Sequence, residues 1–323
     1  MSVKEELVKL FEQSRGVYLS GAELAQKLDC TRGAVWKAVK SLQNEGYCIS
    51  AVTNRGYCLE SGDVLSEAGI KKYLGKNSGI TLTVYKETDS TNIRLRELAS
   101  QGAPEGTAVI AGMQTKGRGR LGRSFFSPSD TGLYLSILLR PDMTAADAVR
   151  ITTAAAVAVA EAAEDISGKK ADIKWVNDVY LCGKKICGIL TEAAFGLENG
   201  GLEYAVCGIG INVYEPQGGF PDEIKDIAGA LLNKPDDDVR NRLAAGIIMR
   251  FMKYYMELSK NTFMQGYRDR LIWRGEEINI IRGSEVFPAR LIDVDEQCRL
   301  ITERTDGRRE VVSSGEISIR KRK

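Results

Sequence analysis

Apolar residues in the first part of the chain recur at helical spacing and then alternate with polar ones. Over residues 2–13 they lie three to four positions apart, and Ser20 is placed to cap a second helix over Ala22–Leu28. A third helix is predicted over residues 32–44, only three residues further on, which is the spacing of a helix-turn-helix. The segment YCISAVTNRGYCL then alternates around an Asn-Arg-Gly turn, as a hairpin does. The pattern predicts a helix-turn-helix with a hairpin wing.

The pattern changes after Ser61-Gly62-Asp63, where strand-like and helical runs begin to alternate. Strand-like runs lie at residues 81–86, 107–112, 132–139, 172–176, 186–193 and 203–210. Helical runs lie at residues 64–74, 92–101 and 145–166, and helical patterns continue through 237–272. Such interleaving predicts a central mixed α/β domain. From Glu276 onward, short strands separated by turn residues indicate a small β-barrel.

At 323 residues the chain is longer than one hydrophobic core usually supports. Together with the changes of pattern, this length predicts domains at residues 1–62, 63–272 and 273–323. The 45 basic and 43 acidic residues leave a formal net charge of +2, so contact with nucleic acid has to come from local clusters of charge. No run approaches the roughly 20 apolar residues of a membrane span, and the N-terminus is too charged for a secretory signal. A cytoplasmic protein that does not bind membranes is expected.

Two residue types narrow the possible chemistry. The seven cysteines form no CxxC pair, which is typical of reduced, packed thiols. The chain has no histidine, and this excludes Ser-His and Cys-His nucleophile pairs, imidazole bases and the usual zinc sites. Catalysis therefore has to use Lys, Arg, Asp, Asn and backbone groups. Reactions that depend on positioning and charge stabilisation, such as attack on a phosphate, are favoured.

The third predicted helix presents a basic face. Its candidate DNA-binding residues, with one from the wing, are Arg32, Trp36, Lys37, Lys40 and Arg55. A solvated charged face is the alternative. The helix-turn-helix spacing and the adjacent hairpin favour DNA binding, with the helix in the major groove and the wing near phosphates or the minor groove.

The segment QTKGRGRLGRSFFSP, residues 114–128, alternates glycine with arginine. Glycines allow the backbone to approach a ligand closely, and arginine forks suit phosphates and carboxylates. A solvated basic loop is the alternative; an RNA-binding segment is disfavoured, because the stretch is short, single and set between predicted strands. The composition therefore indicates a loop that folds over an anionic ligand.

Two further clusters carry polar residues at strand ends. In KWVNDVYLCGKKICGILTE, residues 174–192, a strand ending at Trp175 delivers Asn177 and Asp178, a turn follows at Cys182-Gly183-Lys184, and the return strand begins with Lys185. In GIGINV, residues 208–213, glycines and Asn212 end a strand, which indicates a close ligand or tight packing. Exposed turn residues are the alternative for the first cluster. If these residues are functional, the hairpin brings the Asn177 amide, the Asp178 carboxylate and the Lys185 ammonium to one end of the sheet.

These motifs together resemble the biotin protein ligases, and with the N-terminal domain the bifunctional biotin ligase and biotin-operon repressor family. The resemblance covers essentially the whole chain. The matching motifs, in order, are STN at 90–92, GRGRLGR at 117–123, KWVND at 174–178, KKICGIL at 184–190 and GIGIN at 208–212. Val176 stands where bacterial members often have proline, and we expect activity to survive because that position contributes backbone shape. The family implies an SH3-like form for the C-terminal barrel.

The resemblance implies a two-step reaction. The carboxylate of biotin attacks the α-phosphate of ATP to give biotinyl-5'-AMP, and a lysine of a biotin carboxyl carrier protein then attacks this anhydride. The implied catalytic residues are Lys185, Arg118 and Asp178, where Asp178 either accepts a proton or only orients the amine. The implied biotin-binding residues are Ser90, Thr91, Asn92, Gln114, Arg118, Arg120 and Gly188. The implied nucleotide-binding residues are Arg120, Arg123, Phe125, Asn177, Lys185 and Asn212. Ser90 and Thr91 also suit helix capping, and Mg²⁺ is expected with the ATP phosphates rather than in a protein metal site.

The resemblance also implies a biotin-responsive repressor of genes for biotin biosynthesis or transport. Folding of the arginine loop on its ligand would favour homodimers, and these would bind a two-fold symmetric operator. Three alternatives stay open: a lipoate or octanoate transferase, a biotin-sensing repressor without catalysis, and a ligase with a vestigial DNA-binding domain. The absence of histidine disfavours the first, and Lys185 with the full arginine loop disfavours the second.

Overall fold

The computed structural model describes residues 2–75, 78–195, 201–313 and 317–321. The chain divides into two compact units. The first unit comprises Met1–Ser78 with Pro235–Ala245, and the second comprises Gly79–Lys234 with Gly246–Lys323. The division into domains at 1–62, 63–272 and 273–323 stays a prediction.

The first unit contains the predicted helix-turn-helix and wing. Its elements are α1 (Val3–Gln13), α2 (Gly21–Lys27), α3 (Arg32–Asn44), β1 (Ile49–Val52), β2 (Gly56–Leu59) and α4 (Glu67–Leu74). Serine and threonine side chains fix where the helices begin. Ser20 accepts a hydrogen bond from the Glu23 amide at 3.0 Å, and Thr31 accepts one from Ala34 at 3.1 Å. The predicted helices and hairpin are confirmed.

The apolar faces of these helices form one core with the hairpin. Its fully buried members include Leu7, Phe11, Leu24, Val35 and Leu42. β1 and β2 pair antiparallel, with Ile49 opposite Leu59. Gly56, with φ +101°, lies so near the 19–20 backbone that a Cβ would be 2.1 Å from the Leu19 carbonyl oxygen. Glycine is therefore required where the wing turns onto the helices.

The first unit also contains a cluster of paired charges. Arg15 bonds Glu12 at 2.9 Å and Asp237 at 2.8 Å. Lys72 lies 3.3 Å from Asp238, whose carboxylate also accepts a 2.6 Å hydrogen bond from a tyrosine hydroxyl. Glu12 and Asp238 are almost fully buried. Because each buried carboxylate has a cationic partner, the cluster holds α1 and α4 on the segment around residues 237–238.

The second unit is built on a seven-stranded sheet in the order β3-β4-β5-β9-β8-β7-β6. The strands are β3 (Thr81–Tyr85), β4 (Thr107–Ala111), β5 (Gly132–Leu139), β6 (Ala171–Lys174), β7 (Asp178–Leu181), β8 (Lys184–Phe195) and β9 (Leu202–Asn212). β3 and β4 pair in parallel and the other pairs are antiparallel. The helices are α5 (Thr91–Ser100), α6 (Val149–Ser167), α7 (Val239–Met256), which begins in the first unit, and α8 (Met264–Arg270).

Three sequence expectations need correction here. The segment between Trp175 and the 182–184 turn forms a separate strand, β7, because the chain reverses at residues 175–177 as well. The helix expected from residue 145 begins as a 3-10 helix and becomes α-helical at Val149. Helix patterns through 237–272 resolve into α7, a short 3-10 helix (Leu258–Lys260) and α8.

The C-terminal part of the second unit is all-β. Its strands are β10 (Glu277–Arg282), β11 (Glu285–Val294), β12 (Leu300–Glu303), β13 (Arg309–Val312) and β14 (Ile317–Lys321). They form an antiparallel sheet in the order β13-β12-β11-β10-β14. The mixed α/β fold class with an N-terminal helix-turn-helix and a C-terminal antiparallel sheet is confirmed, while closure into an SH3-like barrel stays a prediction. Within the described residues, no helix has the length and apolar character needed to span a membrane.

Candidate functional site

One row of residues across the large sheet organises the site. Lys174 on β6 is opposite Asp178 on β7, and Asp178 is opposite Gly188 on β8. Gly188 is opposite Gly210 on β9, which is opposite Tyr134 on β5. Directly paired residues of a sheet project from the same face. The row therefore sets an ammonium and a carboxylate beside a floor of two glycines.

Phe125 from the arginine loop covers this glycine floor. A Cβ on Gly210 would be 2.6 Å from the Phe125 ring, and one on Gly188 would be 3.1 Å from it. The ring also meets Tyr134 edge to face, with centroids 6.5 Å apart. Only glycine leaves room for the ring at position 210, and this steric requirement explains the second glycine of the GIGIN motif.

The arginine loop itself is held as a compact turn. The Gly119 amide donates to the Arg123 carbonyl at 2.7 Å, and the Phe125 amide donates to the Gly117 carbonyl at 2.9 Å. At Gly117 a Cβ would be 2.5 Å from both the Phe125 carbonyl oxygen and the Ser127 hydroxyl. Glycine at this position therefore allows the two ends of the loop to meet.

Charged and amide groups converge beside the floor. Lys185 Nζ lies 2.6 Å from Asp178 Oδ1, and Arg120 donates to the Asn177 side-chain oxygen at 3.2 Å. The Asn177 amide in turn donates to the Ile189 carbonyl at 2.8 Å, which fixes its orientation. Burial lowers the pKa of Arg120, while nearby Asp178 acts in the opposite direction. The amide, carboxylate and ammonium expected from the 174–192 hairpin meet here.

Three of the residues predicted for biotin, Thr91, Asn92 and Gln114, form a hydrogen-bond network with Ser136 next to the floor. The Thr91 amide donates to the Gln114 side chain at 2.8 Å, and the Ser136 hydroxyl lies 2.7 Å from the Thr91 hydroxyl and 2.6 Å from the Asn92 side-chain oxygen, to which it can donate. Asn92 packs against Gly208, two residues from Gly210 along β9. Ser90 is at the N-cap position of α5 without a side-chain capping bond, so the expected capping role is wrong for this serine.

Most of these groups line one cavity of about 160 Å³ within the second unit. Of the predicted site residues the lining contains Ser90, Thr91, Asn92, Gln114, Arg118, Arg120, Arg123, Phe125, Asn177, Asp178, Lys185 and Gly188. Asn212 is outside this lining among the described residues, and its amide donates to the Gly229 carbonyl at 3.1 Å. It lies two residues beyond Gly210 on the same strand face, so an extended ligand would have to reach past Phe125 to contact it.

Arg118 is half exposed at the cavity and lies 3.7 Å from Glu192. Glu192 also accepts hydrogen bonds from Arg96 at 3.3 Å and Asn92 at 2.8 Å. The fold therefore holds Arg118 near a carboxylate beside the network predicted for biotin. Glu192 lies inside the quoted 174–192 motif, but nothing in its spacing distinguishes it from a solvated strand residue.

Sequence reasoning gave no role to two cations of the lining, Lys174 and Arg320. Lys174 is in the quoted KWVND motif and is 6% exposed. Arg320 comes from β14, the last described strand, and no local pattern links it to the other motifs. Only the topology of the second unit brings it to the cavity.

The basic face of the first unit is a second candidate site. Arg32, Trp36, Lys37 and Lys40 are all exposed on α3, and 52% of Trp36 is accessible. A groove of about 600 Å³ runs between this helix and the wing, with Arg32, Trp36, Lys40 and Asn54 in its lining. Arg55 on the wing is exposed and stacks on Tyr18, 4.1 Å from the ring centroid. The groove, with Arg32 and Lys40 in its lining, has the shape and charge of a surface for a polyanion.

Three family models match the chain in succession. The HTH domain matches residues 3–58, the Biotin/lipoate A/B protein ligase family matches residues 84–212, and the Biotin protein ligase C terminal domain matches residues 275–320. The bifunctional ligase/repressor BirA of Bacillus subtilis is 33% identical over 324 residues, which cover 97% of this chain and 98% of that protein. The chain belongs to the biotin protein ligase family.

Other members of this family extend the comparison. The bifunctional ligase/repressor BirA of Escherichia coli is 29% identical over 95% of this chain and 94% of its own length. The structure of the Aquifex aeolicus biotin protein ligase in complex with biotin and ATP matches with a TM-score of 0.63 and 32% identity, covering 75% of this chain and 99% of that one. The fold of the second unit is thus that of the biotin protein ligases.

Proposed function

We propose that the chain is an ATP-dependent biotin protein ligase that forms biotinyl-5'-AMP and transfers biotin to a lysine of a biotin carboxyl carrier protein. The observation that carries this proposal is the charge of the cavity. Among the described residues, its lining has six cationic side chains, Arg118, Arg120, Arg123, Lys174, Lys185 and Arg320, and one carboxylate, Asp178. A carboxylate and a triphosphate repel each other, and such a cluster offsets that repulsion.

The network at Gly208 suits one end of biotin. The ureido ring needs donors and acceptors beside apolar walls, and Thr91 and Gln114 supply both next to Ile189 and Leu190 in the lining. Asn92 is bonded to Glu192 and the Leu190 carbonyl. We assign it to holding the network, and Arg118, at its border, to binding the carboxylate of biotin.

In adenylation, the carboxylate oxygen attacks the α-phosphorus, a C–O–P linkage forms, and the electron pair of the broken P–O bond leaves with pyrophosphate. Lys185 is suited to stabilise the pentacoordinate phosphate, because it projects beside the glycine floor where the reacting groups would meet. Phe125 would pack on the nucleotide at the edge of the floor that its ring covers. Arg123 would bind the phosphate tail, and Asn177 would orient Arg120.

In transfer, the ε-amine of the carrier lysine attacks the carbonyl carbon and AMP leaves. Asp178 would receive the incoming ammonium, since it is the carboxylate of the lining and pairs with Lys185 at 2.6 Å. Accepting the proton and orienting the amine remain two roles for this carboxylate. A ligand that draws Lys185 toward its phosphate would release Asp178 for either role.

Mg²⁺ is part of the proposal as an ion that arrives with ATP. In the described part of the chain the lining offers one carboxylate, which is already paired with Lys185. This donor set fits an ion held chiefly by phosphate oxygens and water, which is how Mg²⁺ commonly binds at nucleotide sites. Bound there, Mg²⁺ would neutralise phosphate charge.

The test is to incubate the purified protein with radiolabelled biotin, ATP and Mg²⁺, with and without a biotin carboxyl carrier domain. Label on the carrier lysine supports the ligase. Label that stops at biotinyl-AMP contradicts transfer and supports a sensor. A parallel reaction with labelled octanoate or lipoate and its carrier protein tests the transferase alternative, and label in that reaction alone would overturn the assignment to biotin.

We further propose that the first unit represses transcription by binding operator DNA. The supporting observation is the groove between α3 and the wing, with basic residues along it. α3 would enter the major groove, and Arg55 on the wing would contact phosphates. A homodimer would place two such helices on a two-fold symmetric operator. A cytoplasmic location suits these partners and the seven unpaired cysteines.

Regulation would follow if biotinyl-AMP favours the dimer through the arginine loop. Gel shifts on a candidate operator upstream of biotin synthesis or transport genes, with and without biotin plus ATP, measure this coupling. Tighter DNA binding with both ligands supports it. Equal affinity in all conditions would contradict the coupling, and absent binding would support a vestigial DNA-binding domain.

A further inference from the structure

Lys174 is the most deeply buried cation of the cavity that has no assigned role. It is 6% exposed, and among the ion pairs of the described residues none includes it. Asp178, its direct partner across β6 and β7, is engaged by Lys185 at 2.6 Å. The Lys174 ammonium lies instead over the Trp273 ring, 5.6 Å from its centroid. A cation–π contact offsets only a small part of the loss of hydration.

The charges around Lys174 are mostly of its own sign. Arg320 of β14, Lys185 of β8 and Arg123 of the arginine loop all disfavour its protonated form, and Asp178 favours it. Burial is the larger effect, and together these lower the pKa of Lys174 to about 8. Such an arrangement destabilises the ligand-free protein. It is compensated when an anion with several negative charges is bound among these side chains.

The position of Lys174 in the sheet indicates which anion this is. The network predicted for biotin lies at Gly208 on β9, whereas Lys174 is on β6, three strand spacings away, or about 14 Å. Lys185 lies between these ends, near Gly188. In an in-line displacement the leaving group departs on the side opposite the attacking oxygen. A carboxylate that attacks from the β9 side therefore expels pyrophosphate toward β6.

We propose that Lys174 binds the β- and γ-phosphates of ATP and holds pyrophosphate as it leaves, together with Arg123 and Arg320. The inference deepens the proposed ligase function and rests on it. The ammonium donates hydrogen bonds to phosphate oxygens and transfers no proton. It acts in adenylation and has no part in transfer, because pyrophosphate is gone before the carrier lysine arrives.

Separating the two half-reactions tests this assignment. Lys174→Met should lower kcat/KM for ATP in adenylation by about 30–100-fold. Transfer from synthetic biotinyl-AMP to the carrier domain should stay within about threefold of the unsubstituted protein. Lys174→Arg keeps a charge and should restore part of the ATP effect. Lys170→Met, an exposed lysine just before the same strand, is the matched control and should change neither step.

Equal losses in both half-reactions, or a loss confined to KM for biotin, would overturn the assignment. Calorimetric titration of pyrophosphate with Mg²⁺ into the full-length proteins provides a readout that needs no turnover. Lys174→Met should weaken this binding more than tenfold while the Kd for biotin, which reports a folded cavity, is unchanged. Unchanged pyrophosphate binding overturns the inference. A wild-type protein that binds pyrophosphate through Lys174 but forms no adenylate would contradict the ligase proposal alone.

Discussion

Each of the two units brings several charged side chains together, but the two clusters are composed differently. In the first unit, Arg15 and Lys72 face the buried carboxylates of Glu12 and Asp238, so positive and negative groups compensate one another. Among the described residues that line the cavity of the second unit, six have cationic side chains and one, Asp178, has a carboxylate. In the balanced cluster each buried charge is paired with a side chain of opposite charge from the protein itself. The unbalanced one requires an anionic ligand, and this difference separates a structural charge cluster from a binding site.

Replacing Lys185 is expected to have the largest effect. Lys185→Ala should lower the rate of adenylation by about a thousandfold or more, because the Lys185 ammonium lies 2.6 Å from Asp178 and directly beside Gly188 of the glycine floor. The neighbouring Lys184 is the matched control. Its ammonium donates to the Lys225 and Asp226 carbonyls instead. Comparable losses for Lys184→Ala and Lys185→Ala in a rapid-quench assay would show that the effect is not specific to the Lys185 ammonium and would contradict its assigned role.

Breaking the balanced cluster should affect stability instead. Arg15→Ala leaves Glu12 and Asp238 buried with Lys72 alone, and the free energy of unfolding of the first unit should fall by about 3 kcal/mol. Denaturant unfolding followed by circular dichroism measures it. Lys27→Ala, which breaks the exposed pair with Glu23, is the control and should cost at most about 0.5 kcal/mol. If both variants unfold alike, the cluster does not hold this unit together.

Lys174→Met should do the opposite and stabilise the ligand-free protein. Lys174 has a pKa of about 8 in the folded state against 10.5 as its reference value, so the folded state disfavours its proton. Between pH 8 and 10.5 the unfolded chain binds more protons, and the Lys174 contribution to stability rises with pH. The variant should therefore gain about 1–3 kcal/mol at pH 7, and the gain should shrink toward pH 10.5.

Thermal unfolding of both proteins across this pH range measures the difference, since the Tyr, Cys and other Lys groups are common to both. The neighbouring charges of Asp178, Lys185, Arg123 and Arg320 are also kept in both proteins. A variant less stable than the parent at pH 7 would mean that Lys174 is a structural cation, like those of the first unit.

The exposed cations of α3 should give the smallest effect per residue. Lys40→Ala should weaken DNA binding by up to about tenfold and lower the slope of log K against log salt by about one, as expected for one phosphate contact. Fluorescence anisotropy over a salt series measures both quantities, with Lys27→Ala as the control. An unchanged slope would place Lys40 outside the DNA contact.

The helices of the first unit could be predicted from sequence because local interactions determine where they begin and which of their faces are buried. Ser20 and Thr31 fix the beginnings of α2 and α3, and the apolar spacing fixes which faces are buried. In the second unit alternation predicted most strands but missed β7, because it has only four residues between two tight turns. Local sequence patterns do not predict which distant strands come together in the fold. Arg320 lines the cavity because β14 belongs to the same unit. Lys174 could be recognised as a candidate site residue only from its burial in the structure.

The most direct test of the central claim is to follow the α-phosphate. The purified protein is incubated with ATP labelled at this phosphate, Mg²⁺ and biotin, and the protein-bound products are separated. The cationic cavity predicts labelled biotinyl-AMP that requires biotin and disappears, with release of labelled AMP, when a biotin carboxyl carrier domain is added. Absence of a labelled adenylate under these conditions would contradict the ligase account and leave the cavity as a site for some other anion.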